Sequence, residues 1–111
     1  MSTLGEFEQL VLFAVLRLHE DASGVAIHDE IRQRTGRDVS PGAIYTTLGR
    51  LEERGMVRSM VIDTPAARVG RPRKHYELRP AGARALHDAY ANIQALAVGL
   101  LPKLAELAKG R

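Results

Sequence analysis

The chain has 111 residues, 45% of them apolar, with a net charge of +3 and a sequence pI near 9.7. That length fits one folding unit with a modest core, which a partner subunit would help to stabilise. Cysteine is absent, which excludes disulfides and thiolate metal sites; no apolar run approaches the roughly 18 residues of a membrane span, and MSTLGEFEQL lacks the basic start and apolar stretch of a signal peptide, so a soluble, cytoplasmic protein is expected.

Residues 3–20 read as a first helix. Leu4, Phe7, Leu10, Val11, Ala14, Val15 and Leu18 recur at spacings of three and four, the stripe of an amphipathic helix. Thr3 can cap its start, and Glu6 stands three residues on, as a capping box requires. After a turn at 21–24, a second helix runs from Val25 to Arg34, with Ala26, Ile27 and Ile31 on its apolar face and Thr35-Gly36 at its end. The third helix is SPGAIYTTLGRLEERGMVR, residues 40–58 with its exit. Ser40 is a strong N-cap and Pro41 fits the first turn. Ile44, Leu48 and Leu51 make the buried side, and Gly55 stops the helix.

Residues 57–62, rich in branched side chains, read as a strand, and KHYELR at 74–79 alternates as a second. The intervening loop holds Pro65, Gly70 and Pro72, so the pair forms a β-hairpin with a long tip. A last helix spans Pro80 to Ala108. Leu86, Tyr90, Ile93, Ala97, Leu100, Leu104 and Leu107 form a heptad-like seam in it, and Pro102 should kink or break it near 98–101.

The order helix, helix, helix, hairpin, helix is mainly α with a small β element (α+β). It is the order of a winged helix-turn-helix with a C-terminal helix added. The third helix of such a fold enters the major groove of DNA, whose width admits one helix. The residues fit that task. Tyr45, Thr46, Thr47 and Arg50 give a face of hydroxyls and one guanidinium, able to bond phosphates or base edges without the repulsion of Glu. Ser40 and Gly42 turn the helix N-terminus outward, where free N–H groups suit a phosphate. From Arg68 to Lys74, RVGRPRK carries four basic residues and no acid. Arg68, Arg71, Arg73 and Lys74 would cluster on the wing, along the backbone or in the minor groove.

The seam of the last helix calls for a cover. A buried Leu contributes roughly 1.5–3 kcal/mol, so leaving Leu86, Tyr90, Ile93, Leu96, Leu100 and Leu104 in water would cost much of a domain's stability. A homodimer is expected, with Phe7, Leu10 and Val11 of the first helix packed near Tyr90, Ile93 and Leu96. A two-fold dimer sets its third helices about 34 Å apart, matching a palindromic site. Residues 1–79 would then be the DNA-binding unit and 80–111 the dimerisation helix.

Catalysis finds no support. No Ser-His-Asp order with a nucleophile elbow is present, and no Gly-rich phosphate loop follows a strand. His19, His28, His75 and His87 read as surface residues. In His19-Glu20-Asp21 and His28-Asp29-Glu30 neighbouring side chains point to different helix faces and chelate poorly. No metal or organic cofactor is expected. The rival reading is a winged-helix protein-interaction module, which would require the basic residues to be paired within the fold, with Glu52 and Glu53 as candidate partners.

LGEFEQLVLFAVL, Gly24 to Ile27, SPGAIYTTLGRLEERGMV and GRPRKHYELRPAGARAL, in that order, resemble the PadR-like transcriptional regulators over nearly the whole chain. The resemblance implies a dimeric winged-helix repressor that acts on double-stranded DNA and pairs through its last helix. In some members a small aromatic or multidrug-like effector binds near the dimer interface. Carried onto this chain, it implies DNA contacts by Ser40, Gly42, Ala43, Tyr45, Thr46, Thr47 and Arg50, with Arg68, Arg71, Arg73 and Lys74 on the wing. Where the family usually has a Pro soon after the Tyr of its third helix, Thr46-Thr47 stand here. Trp is absent, so the Trp-lined pocket of some relatives has no counterpart.

Overall fold

The computed structural model describes residues 3–62 and 73–110. In chain order these form α1 (Glu6–Leu18), a 3-10 turn (His19–Asp21), α2 (Gly24–Thr35), α3 (Pro41–Glu53), β1 (Val57–Ile62), β2 (Arg73–Leu78), α4 (Pro80–Ala97) and α5 (Leu101–Lys109). This is the expected mainly helical winged-helix order. The wing residues Arg68 and Arg71 lie outside the described residues.

α1 starts later than Thr3. Leu4 is buried in the core and fixes the chain before the helix, so Gly5 becomes the N-cap. Glu8, rather than Glu6, reaches back to accept from the Gly5 N–H at 2.9 Å, the reciprocal half of a capping box moved two residues on. At its other end the helix stops at Leu18, where His19 takes φ 53° and ψ −113°. α2 is capped by Ser23, whose Oγ accepts from the Ala26 N–H at 3.1 Å. Gly36 closes it.

β1 and β2 pair antiparallel, with Val57 opposite Leu78 and Ile62 opposite Arg73. The connector between α1 and α2 extends the sheet: Ser23 bridges to His75, and the Tyr76 N–H donates to the Ala22 carbonyl at 2.9 Å. This non-local pairing ties the wing to the helical body. The core lies between α1, α2, α3 and the hairpin, where Val11, Leu12, Val15, Ile27, Ile44, Leu48, Leu51 and Val57 are fully buried.

α4 comes onto this core through Gly82. A Cβ there would stand 2.3 Å from the Met56 carbonyl oxygen and 2.9 Å from Leu78 Cδ1, so only a bare Cα lets the helix sit this close to β1. The expected single last helix is two. α4 ends at Ala97, Gly99 turns the chain at φ 78°, and α5 begins at Leu101. Pro102 therefore falls in a first turn, where its missing N–H costs no hydrogen bond. The far half of α4 and all of α5 extend from the body. The radius of gyration is 16.3 Å, against about 13 Å for a compact domain of this length.

Candidate nucleic-acid interface

The exposed face of α3 is built by its cap. Ser40 Oγ accepts from the Ala43 N–H at 3.1 Å, and Pro41 has no N–H to satisfy. The Gly42 N–H is left without a partner among the described residues, at the positive end of the helix dipole, where an anion is stabilised. Tyr45, Thr46, Gly49 and Arg50 are exposed beyond it. Thr47, expected on this face, is only 8% exposed. It falls on the inward stripe with Ile44, Leu48 and Leu51, so it packs rather than presenting its hydroxyl to a ligand.

Tyr45 is seated on α2. Its ring lies against Gly24, where a Cβ would meet the Tyr45 ring at 2.4 Å; nearly half the residue stays exposed, at 49%. Behind it stands Tyr76 of β2, which is buried. Burial raises the Tyr76 pKa above the usual phenol value, and the charges of Glu52 and Tyr45 push it further the same way. Gly24→Ala tests this seat. The clash is with the far end of a mobile side chain, so Tyr45 can swing out. The expected result is a thermal midpoint close to the native one with measurably weaker DNA binding, read by calorimetry and by fluorescence anisotropy.

The wing is fastened to α3. Glu52 Oε2 accepts from the Ser59 N–H at 3.2 Å and from the Ser59 hydroxyl at 2.7 Å, and Arg58 crosses to Glu77 at 3.0 Å. Many other basic groups are paired: Arg32 with Asp29, Arg34 with Glu30, Arg37 with Glu6 and Arg54 with Glu8. The side chains of Arg50, Arg73 and Lys74 have neither an ion pair nor a hydrogen bond among the described residues, and all three are exposed. Glu52 thus holds the wing instead of neutralising a cation on this face.

Two histidines expected at the surface are struts. His28 Nε2–H donates to the Val39 carbonyl at 2.6 Å and fixes the approach to α3, and His75 Nδ1–H donates to the Glu20 carbonyl at 2.6 Å. Among the described residues no group of three His, Cys, Asp or Glu is placed to hold a metal, and no helix is long and apolar enough to cross a membrane.

The residues expected at a dimer seam divide. Leu86 is 3% exposed and belongs to the chain's own core, because the Gly82 contact brings the first turns of α4 against β1. Phe7 is half-buried under the Arg37 guanidinium at 5.6 Å. Tyr90 meets Phe13 edge-on at 5.5 Å. Ile93, Leu96, Leu100 and Leu104 are exposed, Leu96 to 84%. Tyr90 packs further along α1 than Phe7, Leu10 and Val11, beside a groove of about 280 Å³ lined by Phe13, Leu16, Leu86 and Tyr90. Val11 is instead fully buried.

Residues 12–88 match the model of the family described as the transcriptional regulator PadR-like family. No curated protein matches the sequence. Among solved structures, a PadR family transcription regulator from Clostridium difficile R20291 is 21% identical, with a TM-score of 0.71 over 90% of this chain and 99% of that one. A PadR family transcriptional regulator from Eggerthella lenta is 23% identical, with a TM-score of 0.67 over 96% and 88%. The PadR-like transcriptional regulator BC4206 from Bacillus cereus is 18% identical, with a TM-score of 0.68 over 95% and 93%. These likenesses establish the fold, and the family match covers more than half of the chain. The chain belongs to the PadR-like family of transcriptional regulators.

Proposed function

We propose that the protein is a homodimeric repressor that binds a palindromic DNA operator in the cytoplasm. α3 enters the major groove, with Tyr45, Thr46 and Arg50 toward base edges and phosphates. The α3 N-terminus at Ser40, Gly42 and Ala43 takes a phosphate. The wing, with Arg68, Arg71, Arg73 and Lys74, grips the backbone or minor groove. Thr47 is left out of the contact set because it is buried. The observation that carries the reading is the set of uncompensated cations Arg50, Arg73 and Lys74 beside the exposed α3 face, with wing and helix joined by the Glu52–Ser59 bonds. A protein-interaction module would need those cations neutralised within the fold, and among the described residues no acid pairs with them.

The homodimer is supported by the uncovered row Ile93, Leu96, Leu100 and Leu104, which a second copy would bury. A small-molecule effector has room in the groove beside that row, between α1 and α4.

Two substitutions separate the roles. Arg50→Ala should cost about 1–3 kcal/mol and relax base preference at one position, whereas Lys74→Ala should weaken all duplexes alike and lower the salt slope by about one. Anisotropy titrations on matched and mismatched duplexes over a salt series read both. Equal, salt-independent behaviour of the two variants and the native chain would remove α3 and the wing from the DNA interface.

A further inference from the structure

Gly49 stands where a helix has least use for glycine. Short of proline, glycine is the costliest residue in an exposed helix interior, because its backbone loses the most freedom on folding. The other glycines found in helices among the described residues all stand in first turns: Gly24 in α2, Gly42 in α3 and Gly82 in α4. Gly24 and Gly82 are held to glycine by crowding against Tyr45 and Met56. Gly36, Gly55 and Gly99 turn the chain at positive φ. Gly49 does neither. It lies well inside α3, its φ is not positive, and nothing among the described residues comes within 4 Å of a Cβ placed on it. The fold therefore gives no reason for the missing side chain, and alanine would make a more stable helix. Local rules broken without gain to the fold mark places where function sets the residue.

The position of Gly49 says which function. α3 buries Ile44, Thr47, Leu48 and Leu51 on one side. At about 100° per residue, Gly49 falls nearly opposite that stripe, between Tyr45 and Thr46 and next to Arg50, all of them exposed. The centre of the outward face is thus a bare Cα flanked by longer side chains. A Cα carries only hydrogens and offers no polar group to a base edge. In the major groove the base edges present donors and acceptors, and thymine alone adds an apolar projection, its 5-methyl group. A methyl fits against a bare Cα, and an alanine there would put a second methyl in the same space.

We propose that Gly49 is a specificity-determining residue: its bare Cα receives the 5-methyl of a thymine and so lets α3 seat against the base edges. This rests on the DNA-binding reading above and adds a base preference to it.

The test uses the full chain and the duplex that it selects from a random-sequence pool. Gly49→Ala should raise the thermal midpoint by about 3–5 °C, so that any loss of binding is not a loss of folding. It should bind the selected duplex at least about tenfold more weakly, the effect of one methyl too many in a close contact. Its affinity for a scrambled duplex should stay within about twofold of native, since phosphate contacts do not read base edges. Deoxyuridine is then placed at each thymine in turn. At one thymine in each half-site, loss of the methyl should weaken the native chain about threefold to fourfold and bring Gly49→Ala back to within about threefold of the native chain on that duplex. Native affinity of Gly49→Ala for the selected duplex overturns the inference. So does equal weakening on the selected and scrambled duplexes, or a scan in which every replacement changes both proteins alike. A native chain that does not distinguish the selected duplex from the scramble would overturn the DNA-binding reading and this inference with it; discrimination that Gly49→Ala shares in full overturns this inference alone.

Discussion

Gly82→Ala is expected to destabilise the fold by about 2 kcal/mol, a fall of about 10 °C in thermal midpoint. The sign needs two terms. Alanine gains up to about 1 kcal/mol over glycine in a helix interior, and Gly82 lies in the first turn of α4, where that gain is smaller. Against it, the new Cβ meets the Met56 carbonyl oxygen at 2.3 Å. That oxygen cannot retreat easily, because it accepts from the Arg79 N–H at 2.8 Å, the bond that joins the start of α4 to β1. The neighbour is backbone on one side and the Leu78 side chain on the other, so α4 must lift off the core. Gly49→Ala is the internal control. Nothing stands within 4 Å of a Cβ there, so propensity acts alone and the variant should gain about 0.5–1 kcal/mol. Thermal denaturation of the two variants beside the native chain decides the matter: equal midpoints for both would mean that the close approach of α4 is not a constraint.

Leu96→Glu combined with Leu104→Glu is expected to yield a folded monomer that binds DNA at least about a hundredfold more weakly. The two leucines are exposed on α4 and α5 and contribute nothing to the core of their own chain, so the winged unit should keep its stability. If a second copy covers them, placing two carboxylates there removes about 1.5–3 kcal/mol of burial per leucine and adds the cost of desolvating charge. Loss of the dimer would convert a two-site attachment to DNA into a one-site attachment, and the affinity conferred by the second site disappears. Sedimentation and anisotropy on the same preparation read the two effects. A native-like dimer in this variant would place the interface elsewhere.

Much of this architecture is legible in residue order. Ser40 with Pro41 marks the start of α3, and the caps observed there are the expected ones. The branched run at 57–62 and the alternation of KHYELR place the hairpin strands within a residue of their bounds, because period and turn chemistry are local properties. Pro102 gives the break in the last helix, although Gly99 supplies the turn itself. The burial of Thr47 was also readable. Positions 44, 47, 48 and 51 form one helical stripe, and spacing outweighs the polarity of a single hydroxyl there.

Other features depend on contacts that no local pattern encodes. Gly24 under the Tyr45 ring and Gly82 over the Met56 carbonyl are meetings between residues far apart in the sequence. The bond from His28 to Val39 and the pairing of the α1–α2 connector with β2 are equally non-local. The unusual backbone at His19 has no signature, since the residue type found there is one that the conformation disfavours.

The proposed function rests on contact of Arg50, Arg73 and Lys74, together with the exposed α3 face, with a two-fold DNA site. Its most direct test is selection of bound duplexes from a random-sequence pool by the purified protein, followed by anisotropy titration of the winner and a scrambled duplex over a salt series. The account predicts an inverted repeat with half-sites about one helical turn apart. It also predicts tighter binding to that repeat than to the scramble, with a salt slope corresponding to about 6–10 phosphate contacts per dimer. A pool that never converges, with weak and equal binding to both duplexes, would contradict it.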